Sequence, residues 1–303
     1  MIEVKNNLIA VNEENFPDEL FRCYISENFD TDGDGFITME EAEAVTSIDI
    51  SGDCEKQVNV SSLKGIEFFT GLKELNCTNN KLKSLDISKN TGLRILECGN
   101  NELTELDVSQ NIELETLRCN NNELTEIDVS KNINLRLLNV GKNKLTSLDV
   151  SQNIKLKELF CYKNELRSID VSPIDWLYRL ECGENELTKL NISKNTMLGI
   201  LSCDGNKLTK LNVRKNTRLM VISCSDNELT ELDISKNTML SVLSCDGNKL
   251  RSLDVSKNSW LDCISCKDNE IKELDISNCE YKDQRCINHR LRIYCDDNVK
   301  IIK

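Results

Sequence analysis

From Leu72 onward the sequence repeats every 21 residues without an insertion. Leucine opens each unit at Leu72, Leu93, Leu114, Leu135, Leu156, Leu177, Leu198, Leu219, Leu240 and Leu261. Cysteine keeps the same step at Cys77, Cys98, Cys119, Cys161, Cys182, Cys203, Cys224, Cys245 and Cys266, with Val140 in the one remaining slot. Asn80, Asn101, Asn122, Asn143, Asn164, Asn185, Asn206, Asn227, Asn248 and Asn269 form a third register. Ten units therefore cover residues 72–281. A unit this short cannot bury an apolar face alone, so the units must stack on one another. The 303-residue length, which for an ordinary chain points to about two domains, is mostly this array.

Each unit reads L-x-x-L-x-C-x-x-N-x-L-x-x-L-D-(V/I)-S-x-N-x-x. In Leu75-Asn76-Cys77-Thr78, alternation places Leu75 and Cys77 inward and Asn76 and Thr78 outward. Stacked coils become parallel strands about 4.8 Å apart, with Asn at the corners satisfying turn backbone. The second half, such as Leu82-Lys83-Ser84-Leu85-Asp86-Ile87-Ser88-Lys89-Asn90, repeats the same motif and predicts a second short β segment in each coil. The unit resembles the leucine-rich repeat signature L-x-x-L-x-L-x-x-N over about two-thirds of the chain. Its two-strand form is similar to short repeats of some bacterial surface proteins. The resemblance implies a mainly β solenoid, a leucine-rich repeat right-handed superhelix, with a small α-helical EF-hand-like N-terminal cap.

Residues 1–71 form that cap and a first irregular coil, in which Val45–Ser51 reads as half a repeat. Its sharpest motif is Asp30-Thr31-Asp32-Gly33-Asp34-Gly35-Phe36-Ile37-Thr38-Met39-Glu40-Glu41, which resembles the EF-hand calcium loop. The resemblance assigns side-chain oxygens to Asp30, Asp32 and Asp34, a backbone carbonyl to Phe36, a direct or water-mediated contact to Thr38 and a bidentate carboxylate to Glu41. Gly35 makes the sharp turn and Ile37 points into the core. Pro17 suits a first helical turn, Leu20, Phe21, Tyr24, Ile25 and Phe29 make one apolar stripe, and Glu40 to Val45 begin the exit helix. One loop without a partner points to Ca2+ as a structural staple, not a switch. The lead into the repeats is similar to the N-terminal region of secreted bacterial leucine-rich repeat proteins. This implies a secreted or cell-surface location, although Met1-Ile2-Glu3-Val4-Lys5 lacks a secretory pattern and a cytoplasmic alternative stays open.

Net charge is −13, which opposes nucleic acid and anionic membranes as partners, and no apolar run approaches the ~20 residues of a membrane helix. The single histidine, His289, and the absence of a nucleophile–base arrangement make a non-enzymatic chain the expectation.

The cysteine column reads as apolar core, since parallel Cβ vectors do not suit a disulfide. Six cysteines lie off it: Cys23, Cys54, Cys263, Cys279, Cys286 and Cys295. Residues 282–303 leave the register as a C-terminal cap. With His289 and the C-x-x-C spacing of Cys263 and Cys266 they leave both a cap disulfide and zinc open.

Function falls to the outward columns. Asp86, Asp107, Asp128, Asp149 and Asp170, then Asn191, Asn212, Asp233, Asp254 and Asp275, hardly vary, and serine follows most of them by two residues. This column reads as structural hydrogen bonding. The strand column does vary: Asn76, Glu97, Arg118, Asn139, Phe160, Glu181, then four serines, with Asn120 and Tyr162 among its companions. Phe160 and Tyr162 point outward together, and Trp176 and Tyr178 follow one coil on, beside Pro173. Arg118, Asn120, Asn139, Phe160, Tyr162, Tyr178 and Glu181 are the candidate ligand-binding residues. A protein ligand is the first expectation. An adhesin-like glycan surface using the aromatics is the alternative, and local packing around Pro173 is the bland one.

Overall fold

A computed structural model of the chain describes residues 7–52, 59–279 and 291–302, which fall into two units, 1–153 and 154–303. In the first unit, strand β1 (Leu8–Ala10) precedes helix α1 (Glu19–Phe29), strand β2 (Phe36–Thr38) and helix α2 (Met39–Ala44). Asp18 caps α1 by accepting from the Leu20 and Phe21 N–H groups, so Pro17 lies just before the cap and not within the first turn. The same carboxylate accepts the Ser61 N–H and hydroxyl, each at 2.8 Å, and ties the helix to the segment leading into the coils. Phe16, Phe21, Ile25 and Ile37 are fully buried, and the Phe16 ring meets those of Phe21 and Phe68 at 5.8 Å. Gly65 sits at φ +103°, and a Cβ there would come 2.3 Å from the Phe16 ring.

The half-repeat after α2 becomes β3 (Ser47–Asp49). It pairs in parallel with β4 (Glu74–Asn76), and β5 (Ile95–Glu97), β6 (Thr116–Arg118) and β7 (Leu137–Asn139) follow in register. The second unit continues the step: β8 (Glu158–Phe160), β9 (Arg179–Glu181), β10 (Ile200–Ser202), β11 (Val221–Ser223), β12 (Val242–Ser244) and β13 (Cys263–Ser265) are parallel neighbours. In both units the opening leucine, the central strand residue and the ladder cysteine, such as Leu93, Leu96 and Cys98, are fully buried. Each coil thus contributes one column of inward side chains per position, and stacking removes those columns from water.

Two asparagine columns hold the corners. Asn122 Nδ2 donates to the Cys98 and Cys119 carbonyls at 3.0 and 3.1 Å, and its Oδ1 accepts the Leu103 N–H at 3.0 Å. Asn132, in the second column, donates to the Val108 and Asn111 carbonyls at 3.0 and 2.9 Å. The residue before the first Asn is left-handed at Asn79, Asn100 and Asn121, and even at Lys142 and Glu184, where a Cβ disfavours it.

The expected second strand of each coil does not form within the array. Asp86 Oδ1 accepts the Ser88 N–H at 3.0 Å, and Asp107, Asp128, Asp170, Asp233 and Asp254 do the same for the serine two residues on. The side chain takes the N–H that a neighbouring coil would need for a second ladder. These bonds, from the Ser88 N–H first and then its hydroxyl, hold the Asp86 carboxyl below its usual range. Asn191 and Asn212 make the same turn without a charge, so the column is a backbone device. Among the described residues a second ladder appears only at the end, where β14 (Glu273–Asp275) pairs in parallel with β16 (Lys300–Ile302).

The tail also corrects the reading of its cysteines. Strand β15 (Arg292–Tyr294) pairs with β13 in the register Ser265↔Tyr294, and the Cys266 N–H donates to the Tyr294 carbonyl at 2.8 Å. Cys295 therefore continues the ladder beside Cys266. Cys279 occupies the slot 21 residues after Asn258 and directs its thiol at the Val255 carbonyl, 3.7 Å away. Within β13, Cys263 faces outward and Cys266 is buried, so the C-x-x-C pair points to opposite faces and cannot share a zinc ion. Cys23, Cys263, Cys279 and Cys295 are free thiols. Cys54, Cys286 and His289 lie outside the described residues.

Candidate functional site: the acidic loop and the strand face

The acidic loop leaves α1 at its C-terminal residue and is turned by Gly33 at φ +71° and Gly35 at φ +84°. Gly35 N–H donates to Asp30 Oδ2 at 3.0 Å, and Phe36 N–H to Asp34 Oδ1 at 2.9 Å. These bonds fold the chain until carboxylate oxygens of Asp30, Asp32 and Asp34 lie within 4.8 Å of one another. Like charges so close repel, and Asp30 Oδ1 is buried with no hydrogen-bond partner. An unpartnered buried oxygen inside three carboxylates fits a hard cation bound by oxygen. Glu41 is not part of that trio. Its Oε2 accepts the Thr38 N–H and hydroxyl at 2.8 and 3.0 Å while Thr38 Oγ1 accepts the Glu41 N–H, a reciprocal cap on α2. Phe36 and Ile37 pair antiparallel with β1 in the register Ile9↔Ile37.

On the strand face of the first unit, Arg118 Nε lies 3.0 Å from Glu97 Oε1, an ion pair whose angle falls short of a directed hydrogen bond. Asn139 Oδ1 accepts the Gly141 N–H at 3.1 Å. The Asn120 amide lies over Gly99, where a Cβ would be 3.0 Å from its oxygen.

On the strand face of the second unit, Phe160 lies under the Arg179 guanidinium, whose central carbon is 5.0 Å from the ring centroid. Arg179 is held there by Glu181, with Nε to Oε1 at 2.8 Å. Tyr162 is half-buried on the same face. Trp176 and Tyr178 stand apart from these, in the turn leading into β9, at 63% and 42% exposure. The Tyr178 ring covers Gly199, where a Cβ would approach it to 2.4 Å. Further along, sequence reasoning passed over a polar network. Asp204 accepts from the Ser202 and Ser223 hydroxyls and the Ser225 N–H at 2.6–2.9 Å, and Asp246 from the Ser265 hydroxyl and the Lys267 N–H at 2.6–2.8 Å. The signal was the repeated serine of this column with Asp204 and Asp246 two coils apart.

Single-strand coils, a buried consensus column and cross-coil Asn bonds define a leucine-rich repeat solenoid, and solved structures of internalins share it. The chain is similar to the functional domain of InlJ from Listeria monocytogenes, with 34% identity and a TM-score of 0.86 over 99% of this chain and 63% of that one. That domain is described as including a cysteine ladder, the feature formed here by the cysteines of the 21-residue register. A 75-residue stretch, 25% of the chain, is 39% identical to Internalin J of Listeria monocytogenes serotype 4b (strain F2365) and spans 8% of that protein. InlF of the same strain shares the fold at 20% identity, with a TM-score of 0.72 over 96% of this chain and 92% of that one. No family model matches the chain.

Proposed function

We propose that the chain is a non-enzymatic recognition module, secreted or at a cell surface, that binds a protein through its strand face and is stapled by Ca2+ at its cap. The observation that carries the reading is the contrast between columns. Inward positions stay apolar from coil to coil, while the outward strand position changes from Glu97 and Arg118 to Asn139, Phe160 and Glu181 before settling on serine. Variation on an exposed, rigid face is what partner selection needs. The likeness to the InlJ domain supports the same reading.

Replacing Phe160 and Tyr162 together by Ala should leave the melting temperature within a few degrees and reduce capture on a protein array at least about tenfold. Unchanged capture removes these residues from the binding face. A glycan array probed in parallel separates the second reading, which rests on the exposed indole of Trp176 as a stacking surface. Signals on glycans alone would replace the protein ligand.

At the cap, Asp30, Asp32 and Asp34 would hold the ion, with Glu41 released from Thr38 to complete its shell. Calcium saturation should raise the melting temperature by about 5 °C or more, and Asp30→Asn should remove the gain. Equal melting in calcium and in EDTA would end the calcium reading.

A further inference from the structure

Both tryptophans of the chain stand on one column of the second unit, outside the strand face. In each coil the opening leucine N–H bonds back to the carbonyl three residues earlier, as Leu198 to Asn195 and Leu219 to Asn216, and the chain then bonds to the coil before it, as Gly199 to Tyr178 and Met220 to Gly199. Residues fixed between such identical anchors lie directly above one another. After Lys155 that column reads Trp176, Met197, Arg218, Met239 and Trp260, and about 19 Å separates the two tryptophans at the parallel-strand spacing. Trp176, Met239 and Trp260 are 63%, 53% and 54% exposed, and Arg218 is exposed between the methionines.

The fold does not require these residues. The same place holds Gly71, Gly92, Glu113 and Asn134 in the first unit. Trp, Met and Arg are the types enriched at the centres of protein interfaces. Charge then selects the partner. Three residues ahead of the stripe runs a column of exposed lysines, Lys194, Lys215, Lys236 and Lys257. None of them, nor Arg218, forms an ion pair among the described residues of the unit. Residues 187–220 carry seven Lys and Arg against one Asp in a chain of net charge −13, and of the seven Lys207 and Arg214 pair with Glu186 and Asp233. Here Asn191 and Asn212 replace the Asp that the turn column uses elsewhere. Asp175 and Asp262 adjoin the two ends of the stripe, and Asp170, Asp233 and Asp254 lie near enough to Lys194, Lys236 and Lys257 to be stabilised by them, which leaves Lys215 and Arg218 as the least compensated cations.

We propose that this lateral edge is a second docking surface, which takes an acidic segment of a partner protein whose apolar side chains seat between Trp176 and Trp260 while its carboxylates meet Arg218 and the lysine column. It is separate from the strand face, so either reading can fail without the other. Random peptides displayed on phage, selected on the wild-type chain, test it. Enriched peptides should combine Asp and Glu with aromatic or aliphatic residues, shift the tryptophan emission to the blue, and detach at high salt. Trp176→Ala with Arg218→Glu should weaken them at least about tenfold, whereas Phe160→Ala with Tyr162→Ala should not. Arg218→Glu alone, at an exposed site, guards against misfolding of the double variant. Peptides without acidic enrichment, or retained by the Arg218→Glu chain, would overturn the proposal. So would stronger emission changes with heparin than with acidic peptides, or self-association that Arg218→Glu abolishes, since the occupant would then be a polysaccharide or a second copy.

Discussion

Raising the pH from about 8.5 to 12 should unfold the chain over an unusually narrow interval. The cause is the cysteine ladder. Cys77, Cys119 and Cys182 are fully buried, and loss of water around the thiolate pushes each thiol up to about 12. Burial also drives Cys98, Cys161, Cys203 and Cys245 well above the usual range, with neighbouring ladder cysteines adding to the effect. The sign follows from proton counts. Below about 8.5 both states keep their thiol protons, and the ladder's contribution is fully present. Above it the unfolded chain releases protons that the folded chain retains, so the unfolded state gains with every increment of pH. Each thiol contributes up to about 1.4 kcal/mol per pH unit, and a ladder of nine contributes up to about 12 kcal/mol per pH unit. Total stabilities of ordinary domains are about 5–15 kcal/mol, so roughly one unit of pH is enough. Far-UV circular dichroism under reducing conditions checks this, with Cys182→Val and Cys203→Val as the comparison. Valine already fills the slot at Val140 without exposure, so the variant should fold and unfold at higher pH. An alkaline midpoint that the substitutions do not move would sink the account. So would native alkylation of ladder thiols as fast as that of exposed Cys23.

The ladder shows how much was legible. A 21-residue step names every buried position of the array, because a solenoid repeats its contacts as faithfully as its sequence. What the step cannot reveal is a local competition for hydrogen bonds. Leu85-Asp86-Ile87-Ser88 reads as a strand by alternation, yet the Asp86 side chain outcompetes the neighbouring coil for the Ser88 N–H. Cys295 escaped for another reason. Its coil is longer than 21 residues, so register counting stops at Cys266, although Arg292-Ile293-Tyr294-Cys295 repeats the spacing of Cys263-Ile264-Ser265-Cys266. Cys279 stands in perfect register with the second Asn column and was hidden only by being grouped with other cysteines. At the proposed binding face the sequence groups Phe160, Tyr162, Trp176 and Tyr178 by proximity along the chain. The structure puts Phe160 under Arg179 and lays Tyr178 over Gly199. Trp260, 84 residues beyond Trp176, is its true companion in the stack, a relation that appears only when outward columns are followed as carefully as inward ones.

The two asparagine columns should differ sharply in what they contribute, and one coil is enough to show it. Asn206 Nδ2 donates to the Cys182 and Cys203 carbonyls, each at 3.1 Å, while its Oδ1 accepts the Leu187 N–H at 2.9 Å. Asn206→Leu therefore strands the Leu187 N–H inside the coil corner and takes one of two amide donors from each carbonyl, since Asn185 still serves Cys182 and Asn227 still serves Cys203. At about 1–3 kcal/mol for the stranded N–H and about 0.5–1.5 kcal/mol for each of the two lost bonds, the cost is about 2–6 kcal/mol. Asn216 is fully buried and donates to the Ile192 and Asn195 carbonyls at 2.9 and 2.8 Å, but its own Oδ1 has no partner. Asn216→Leu strands nothing, since the Ile192 and Asn195 carbonyls keep the Asn195 and Leu198 N–H donors, and it removes an oxygen that was desolvated without compensation. Its cost should be about 0–2 kcal/mol, two lost bonds offset by removal of the unpaired oxygen. The array itself points the same way. Asparagine fills the first column in all ten coils, whereas the second admits Ile174 and Cys279. Cys279 makes only the single thiol contact to Val255, so a donor weaker than an amide is tolerated there. Asn216→Cys should accordingly be milder than Asn216→Leu. Urea denaturation of the three variants gives the order directly, with Asn206→Leu lowering the midpoint most and Asn216→Cys least. If Asn216→Leu proved as damaging as Asn206→Leu, the unpartnered oxygen would carry no weight and the two corners would have to be regarded as equivalent.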